Sequence, residues 1–338
     1  MKLLCIGDLH IQKKNLCVFK EFEKQLYIWL ETNAKLLDGI VILGDVLHTM
    51  DVINTLSLNT ALVFFSKLKV YNIQIYVLVG NHDFIGPNEF MSKNHWMSNI
   101  CTHPNIKVID YATVIDNDII MCPYVPPGRF IEALSLADKN YMKKKIIFCH
   151  QEFKGVQFES VDITSDKGDD WDNTSPLIVS GHIHKKQWLQ KNIYYVGTPY
   201  QTRFNEDLNK SIVIIDVRTK EIQDVYLNVP KLISITESIE NVDEITNMKL
   251  DVESNMYKIL LESPSIVYTN SFIKKNIYKR LKGLKNVTIL FVYPKSDTPY
   301  INYETIDKPL EFKKLLYENI KHNQNMINMY NMHIQHDL

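Results

Sequence analysis

The chain lacks most of what would mark it as secreted, membrane-bound or drawn to one kind of charged partner. Its 338 residues include five cysteines, an odd number, with no Cys-x-x-Cys pair among them. Neither a disulfide framework nor a thiolate zinc site is therefore expected. Cys5 and Cys149 sit inside apolar runs, where a free thiol behaves as a small hydrophobe. No stretch approaches the roughly 20 apolar residues of a membrane span. The chain opens directly on a strand, Lys2 to Ile6, rather than on a signal-peptide pattern. The expectation is an intracellular protein with no membrane contact, in the cytoplasm, or in a virus factory or nucleus if the Asn-, Ile-, Lys- and Tyr-rich composition reflects an AT-rich viral genome. A formal net charge of −1 gives no whole-molecule field toward nucleic acid. A Gly-x-x-x-x-Gly-Lys-Ser/Thr loop is also missing, so the chain carries no P-loop ATPase of its own.

What is present is an ordinary globular composition, 45% hydrophobic and 23% charged. Leu3–Ile6, Gly39–Leu43 and Ile73–Val79 read as strands. Between them, Phe19–Leu30 (apolar at Phe19, Phe22, Leu26, Trp29 and Leu30) and Leu56–Leu68 read as amphipathic helices. That order predicts parallel strands with crossover helices, and ligands at the carboxyl ends of the strands. From Ile106 onward, short apolar runs joined by turn-rich loops predict a second sheet. A helix is expected over Leu134–Lys145 and an exposed loop over Asp162–Asn173, which lacks the calcium-loop pattern of an EF-hand. A boundary falls near Asn228–Lys231. Beyond it, Met256–Glu262, Ser271–Leu284 and Val287–Tyr293 form a β-α-β unit of a smaller domain. Leu310–Tyr330 reads as a polar helix with a weak apolar stripe at Phe312, Leu315, Leu316 and Ile320. The expected domains are thus 1–228, 229–300 and 301–338.

Five motifs recur in order, each near the end of an apolar run: Gly7-Asp8-Leu9-His10, Gly44-Asp45-Val46-Leu47-His48, Gly80-Asn81-His82-Asp83, His150, and Gly181-His182-Ile183-His184. Singly, each could be a turn or a cap. Together they supply Asp8, Asp45, Asn81 and several His, a mixed donor set suited to Mn²⁺, Fe²⁺ or Zn²⁺. Asp8 and His10, two apart after a strand, can face one ion. Asp45, on a neighbouring strand, can bridge two. Two ions ~3.5–4 Å apart can clamp a phosphate ester and activate a water. His82 is left over as a proton donor to the leaving group, with Asp83 able to orient its ring.

This motif set resembles the calcineurin-like metallophosphoesterase superfamily over roughly residues 1–220. The resemblance implies a four-layer α/β/β/α sandwich with a smaller C-terminal α+β capping-like domain. It implies two divalent ions, Mn²⁺ first and Mg²⁺, Fe²⁺ or Zn²⁺ as alternatives. One ion would be held by Asp8, His10, Asp45 and His184, the other by Asp45, Asn81, His150 and His182, with His82 as the proton donor. The second motif continues as His48-Thr49-Met50 and not as the Asp-Arg-Gly of the protein serine/threonine phosphatases. With His48 in that place, the chain resembles SbcD-type DNA-repair nucleases, in whose relatives this histidine helps position the DNA end. Val196-Gly197-Thr198-Pro199 with Gln201-Thr202-Arg203-Phe204-Asn205-Glu206, and His150-Gln151-Glu152-Phe153-Lys154-Gly155, are similar to segments of that group.

The resemblance implies a nuclease, exonucleolytic and endonucleolytic, with DNA and a coiled-coil ATPase of the SbcC type as partners, and a homodimer. Lys274, Lys275, Lys279, Arg280 and Lys282 lie in a basic stretch of the small domain that could bind phosphates without sequence preference. A solvated helix face is the other reading. Arg203 and Arg129 are further phosphate-contact candidates, and Leu310–Ile320 is a candidate docking helix. A small-molecule phosphodiesterase or phosphatase on the same fold, or a non-enzymatic scaffold, remains open at this point.

Overall fold

A computed structural model describes residues 1–294 except Asp51, Pro87 and residues 160–163, together with Lys321, Gln324, Met326 and Ile327. The Leu310–Tyr330 helix, its stripe and the docking segment Leu310–Ile320 fall outside the described residues, apart from those isolated positions. Met1–Val292 form one compact unit and Tyr293–Leu338 a second.

In the first unit the chain runs β1 (Lys2–Ile6), α1 (Leu16–Asn33), β2 (Gly39–Ile42), α2 (Thr55–Leu68), β3 (Gln74–Leu78), β4 (Ile106–Ile109), β5 (Thr113–Val114), β6 (Ile119–Cys122) and α3 (Phe130–Ala137). It continues through β7 (Ile146–Cys149), β8 (Leu177–Ser180), β9 (Gln187–Gln190), β10 (Ile193–Tyr195), β11 (Ile212–Asp216) and β12 (Glu221–Val225). The chain then adds β13 (Leu232–Ser238), α4 (Val242–Asn247), β14 (Met256–Glu262), α5 (Ile266–Phe272), α6 (Asn276–Lys282) and β15 (Val287–Val292), within the same compact unit. Among the described residues there are two six-stranded sheets, ordered β12-β11-β1-β2-β3-β4 and β5-β6-β7-β8-β10-β9, and one three-stranded sheet, β13-β14-β15. β1 to β4 run parallel, as do β6, β7, β8 and β10.

Successive strand side chains point to opposite faces, and that alternation makes the four layers. Leu4, Ile6, Ile40 and Ile42 face Phe19, Phe22, Leu26, Phe64 and Phe65 of α1 and α2. Leu3, Cys5 and Val41 instead meet Met121, Phe148 and Val179 between the two sheets. On the far side, Ile120, Cys122, Ile147 and Cys149 pack on Phe130, Ala133 and Leu134 of α3. The sequence expectation of an α/β/β/α sandwich with a smaller sheet is the fold observed. No helix among the described residues is long and apolar enough to cross a membrane.

Four expectations need correction. The short strands from Ile106 onward do not all form the second sheet: β4 extends the first sheet beside β3, and β11 and β12 close its other edge, with β11 antiparallel to β1. The helix expected over Leu134–Lys145 starts earlier and ends at Ala137. Asp169 Oδ1 accepts from the Gly128 N–H at 3.0 Å and fixes the entry, while Asp138 Oδ1 accepts from the Asn140 N–H at 2.8 Å and turns the chain out. The helix expected over Ser271–Leu284 is two short helices. Lys275 is extended between them (φ −70°, ψ 148°), and Ser265 caps the first by accepting from the Tyr268 N–H. The Asp162–Asn173 segment is not simply an exposed loop. Asp169 and Trp171 are buried, and Trp171 packs on Phe130, Phe153 and Tyr141; Asp162 lies outside the described residues.

The small sheet begins at Leu232, directly after the 228–231 stretch, and it is tied to the sandwich. The Gln201 amide accepts from the Leu232 N–H at 2.7 Å and donates to its carbonyl at 3.1 Å. The same amide nitrogen donates to the Glu206 carbonyl at 3.0 Å.

Candidate metal centre

The five motifs meet because their strands are neighbours. β1, β2 and β3 lie side by side in one sheet, and β7 and β8 in the other. All deliver their next residues to the same carboxyl-end crevice, where open parallel sheets bind ligands. The loops after β1 and β2 are joined by the His10 N–H to Asp45 carbonyl and Ile11 N–H to Val46 carbonyl bonds, at 2.9 and 2.8 Å.

The backbone there is under constraint. His10, Asp45 and His182 all have positive φ, at 43°, 47° and 75°. Such left-handed conformations cost energy in non-glycine residues and cluster at functional sites. Gly44 has φ 104°, and a Cβ there would collide with the His150 ring. The glycine before Asp45 thus serves a close approach as well as a turn.

Asp45 stands between two groups of donors. Its Oδ2 is 3.6 Å from His10 Nε2, which in turn is 2.9 Å from His184 Nε2. Its Oδ1 is 3.3 Å from His150 Nε2, which is 3.0 Å from Asn81 Oδ1. His182 Nδ1 completes that side, 2.8 Å from Asn81 Oδ1 and 3.3 Å from His150 Nε2. Asp8 Oδ1 accepts from the His182 N–H at 2.9 Å, yet its Oδ2 is buried with no hydrogen-bond partner. A buried carboxylate oxygen left without a donor is costly. A divalent cation would satisfy it, so the residues present fit a metal. The ligand atoms of Asp45, His150 and His182 lie within 4.8 Å of one another, as do those of His10, His48 and His82. All seven residues expected as ligands, Asp8, His10, Asp45, Asn81, His150, His182 and His184, are brought together.

The charges are coupled. Burial alone would raise the Asp45 pKa, but the imidazoles of His150 and His10 hold it well below the usual carboxylate range. Burial disfavours a charged His150, yet the Asp45 and Asp8 carboxylates push it up to about 9. Burial holds His10 well below the ordinary imidazole value. His48 is lowered by burial, by His82 and by the exposed Arg203 nearby.

His82 is half-buried, with Nε2 facing Asp45 Oδ2 at 3.9 Å. Its Nδ1–H donates to the His48 carbonyl at 2.6 Å. The expectation that Asp83 orients this ring is therefore corrected. The Asp83 carboxylate accepts instead from the Gly80 N–H at 3.0 Å and the Trp96 indole N–H at 2.9 Å. More distant N–H groups of Val46 and Leu47 point to it at 3.4 Å. Burial and the Asp45 charge push its pKa up to about 6. Asp83 holds two loops together rather than a reacting ring. Asp83→Ala strands these buried donors and should cost on the order of 3 kcal/mol, read as a fall in urea midpoint; an unchanged midpoint would remove Asp83 from this role.

His48 lies over the site. Its ring is parallel to that of His82 (interplanar 15°, centroids 5.5 Å apart), and its Nδ1 is 3.3 Å from His10 Nδ1. The basic residues Lys274, Lys275, Lys279, Arg280 and Lys282 are exposed on and just before α6. Among the described residues, no contact joins them to the histidines. Arg129 is bound to Glu132 at 2.7 Å, and its guanidinium lies over the Phe90 ring at 3.4 Å. Sequence reasoning did not single out Trp96, Tyr124 (ring 5.8 Å from that of His182), or the carboxylates of Glu152 and Glu206 as site residues. The two glutamates stand inside segments noted above, but a lone Glu carries no spacing to mark it.

This arrangement of strand-end Asp, Asn and His between two sheets defines the class: the chain belongs to the calcineurin-like phosphoesterases, whose family model matches residues 1–215. Two similar proteins come from iridescent viruses. "Putative phosphoesterase 244L" of Invertebrate iridescent virus 6 is 35% identical over 283 residues, 82% of this chain and 98% of the relative. "Putative phosphoesterase 078R" of Invertebrate iridescent virus 3 is 32% identical over 328 residues, 95% of this chain and 92% of the relative. The chain is a metal-dependent phosphoesterase; the second likeness also runs through the three-stranded sheet.

Proposed function

We propose that the phosphoester is in DNA: the chain is a metal-dependent nuclease, cutting ends or hairpins exonucleolytically and endonucleolytically, as the SbcD-type member of a homodimeric complex with an SbcC-type coiled-coil ATPase. The observation that carries this reading is His48. Its half-buried ring lies parallel to the His82 ring and against His10, a place from which it helps position a DNA end, as the resemblance to SbcD-type nucleases implies. The absence of Asp-Arg-Gly after Asp45 speaks against a protein phosphatase. The exposed cations on α6 supply a sequence-independent contact to phosphates, and a near-neutral net charge suits a protein whose grip on DNA is shared with a partner.

When bound, two divalent ions, with Mn²⁺ the first choice, neutralise phosphate oxygens and activate a water. The chain's own residues do the rest. Asp45 faces both donor groups with one oxygen each. The His48 carbonyl holds the Nδ1–H of His82, so that His82 Nε2 points into the site and can give a proton to the leaving oxygen.

The test is cleavage of blunt and hairpin DNA by the full chain, with Mn²⁺, Mg²⁺ or Zn²⁺, with and without a coiled-coil ATPase partner, and with cyclic nucleotides as competitor substrates. DNA degradation in Mn²⁺ that a chelator abolishes is expected. Rapid turnover of cyclic nucleotides with DNA untouched would make the chain a small-molecule phosphodiesterase instead.

A further inference from the structure

The Gly181-His182-Ile183-His184 turn sends two imidazoles into the metal centre, and each presents opposite ring nitrogens to it. His182 faces the centre with Nδ1, toward Asn81 and His150. Its Nε2 is 3.7 Å from Glu152 Oε2. His184 faces the centre with Nε2, toward His10. Its Nδ1 is 3.8 Å from Glu206 Oε1. Each ring therefore has one nitrogen in the site and a carboxylate at ion-pair distance from the other.

We propose that Glu152 and Glu206 are positioning residues, one for each of these histidines, and that they tune the two metal positions separately. The inference rests on the metal-centre reading above. A metal-binding imidazole that gives its other N–H to a carboxylate is fixed in tautomer and orientation and becomes a stronger ligand.

Both carboxylates have rigid mounts. Around Glu152, the Gln151 N–H donates to Ser180 Oγ at 2.9 Å, and Tyr195 Oη accepts from the Phe153 N–H at 2.9 Å while donating to the Gln151 carbonyl at 3.1 Å. The Glu152 carbonyl accepts from the Asp169 N–H at 3.0 Å, and Ser165 Oγ–H donates to its Oε1. Glu206 is deeply buried. It accepts from the Thr202 N–H at 2.8 Å and the Thr202 hydroxyl at 2.7 Å. Lys210 lies 3.7 Å from its Oε2, and this ammonium is itself clamped by Glu159 at 2.7 Å and donates to the His184 carbonyl at 3.1 Å. Glu152 follows β7 and Glu206 follows β10, and no hydrogen bond or ion pair links the two carboxylates directly among the described residues, although Glu159 of the segment after β7 reaches the Glu206 mount through Lys210.

The experiment is calorimetric titration of the metal-stripped full chain with Mn²⁺, with Mn²⁺ electron paramagnetic resonance as a count of bound and paired ions. Wild type should bind two ions. E206Q should weaken one of the two binding events by about 10–100-fold and leave the other unchanged; E152Q should weaken the other. The double variant should show both losses, and raising Mn²⁺ should restore turnover in each single variant. Thermal unfolding of the metal-stripped proteins reports whether each variant folds. The less buried Glu152 tests the idea independently if E206Q does not fold. Single variants with wild-type affinity at both positions, or both weakening the same position, would overturn the inference alone. A wild-type chain that binds no Mn²⁺ would overturn the metal centre and this inference with it.

Discussion

Asp45→Asn should lower turnover by about three orders of magnitude or more for every substrate tried. Asp45 is the carboxylate that both donor groups share, with Oδ2 toward His10 and Oδ1 toward His150. Ions in such a site contribute several kcal/mol of charge stabilisation in the transition state, and each ~1.4 kcal/mol is tenfold in rate. The substitution keeps the shape, and an amide oxygen can still accept the His82 N–H that Asp45 Oδ1 now accepts at 2.9 Å. The fold should survive, and the loss should appear in calorimetry as one ion bound or none. A variant that binds both ions and keeps a tenth of the wild-type rate would refute the bridging role.

His82→Asn should behave differently. Its ring is held by Nδ1 on the His48 carbonyl and makes no contact with the Asp8 carboxylate or the His150 and His182 rings among the described residues. Ion binding should stay near wild type while kcat falls by about 10²–10⁴-fold. The loss should depend on the leaving group. DNA leaves as an alkoxide, which needs a proton. A p-nitrophenyl ester leaves as a stable phenolate and needs none, so its hydrolysis should be nearly spared. Equal losses on both substrates would remove His82 from proton donation and return it to a packing role.

The two predictions also mark how far the chain could be read before its structure. The donor residues were legible because each motif ends an apolar run, and parallel strands gather such ends in one crevice. The four layers were legible only through the family resemblance, because Leu3–Ile6 and Ile40–Leu43 are apolar at every position and carry no period of two. The partner of the His82 ring was not legible. Asp83 is its neighbour in sequence, but the turn points that carboxylate back to the Gly80 N–H and the Trp96 indole, and a main-chain carbonyl 34 residues away takes the ring instead. Main-chain acceptors leave no residue type to notice. The start of α3 and the break between α5 and α6 were missed for a related reason. They depend on a distant carboxylate, Asp169, and on a local extended turn at Lys275, neither of which shows in a hydrophobic period.

Gln201 gives the small domain a mechanical connection to the chemistry. One amide meets both the N–H and the carbonyl of Leu232, in the way a neighbouring strand would, and also grips the main chain at Glu206. The 228–231 stretch is therefore not a free joint. If the small sheet swings about it, either two hydrogen bonds worth roughly 1 kcal/mol each must break, or the Gln201–Glu206 loop must travel with the sheet. That loop borders His184. A pull applied to the small sheet from outside is thus geared to the edge of the metal crevice through Gln201, and also through Lys258, whose ammonium lies over the Phe204 ring of the same loop.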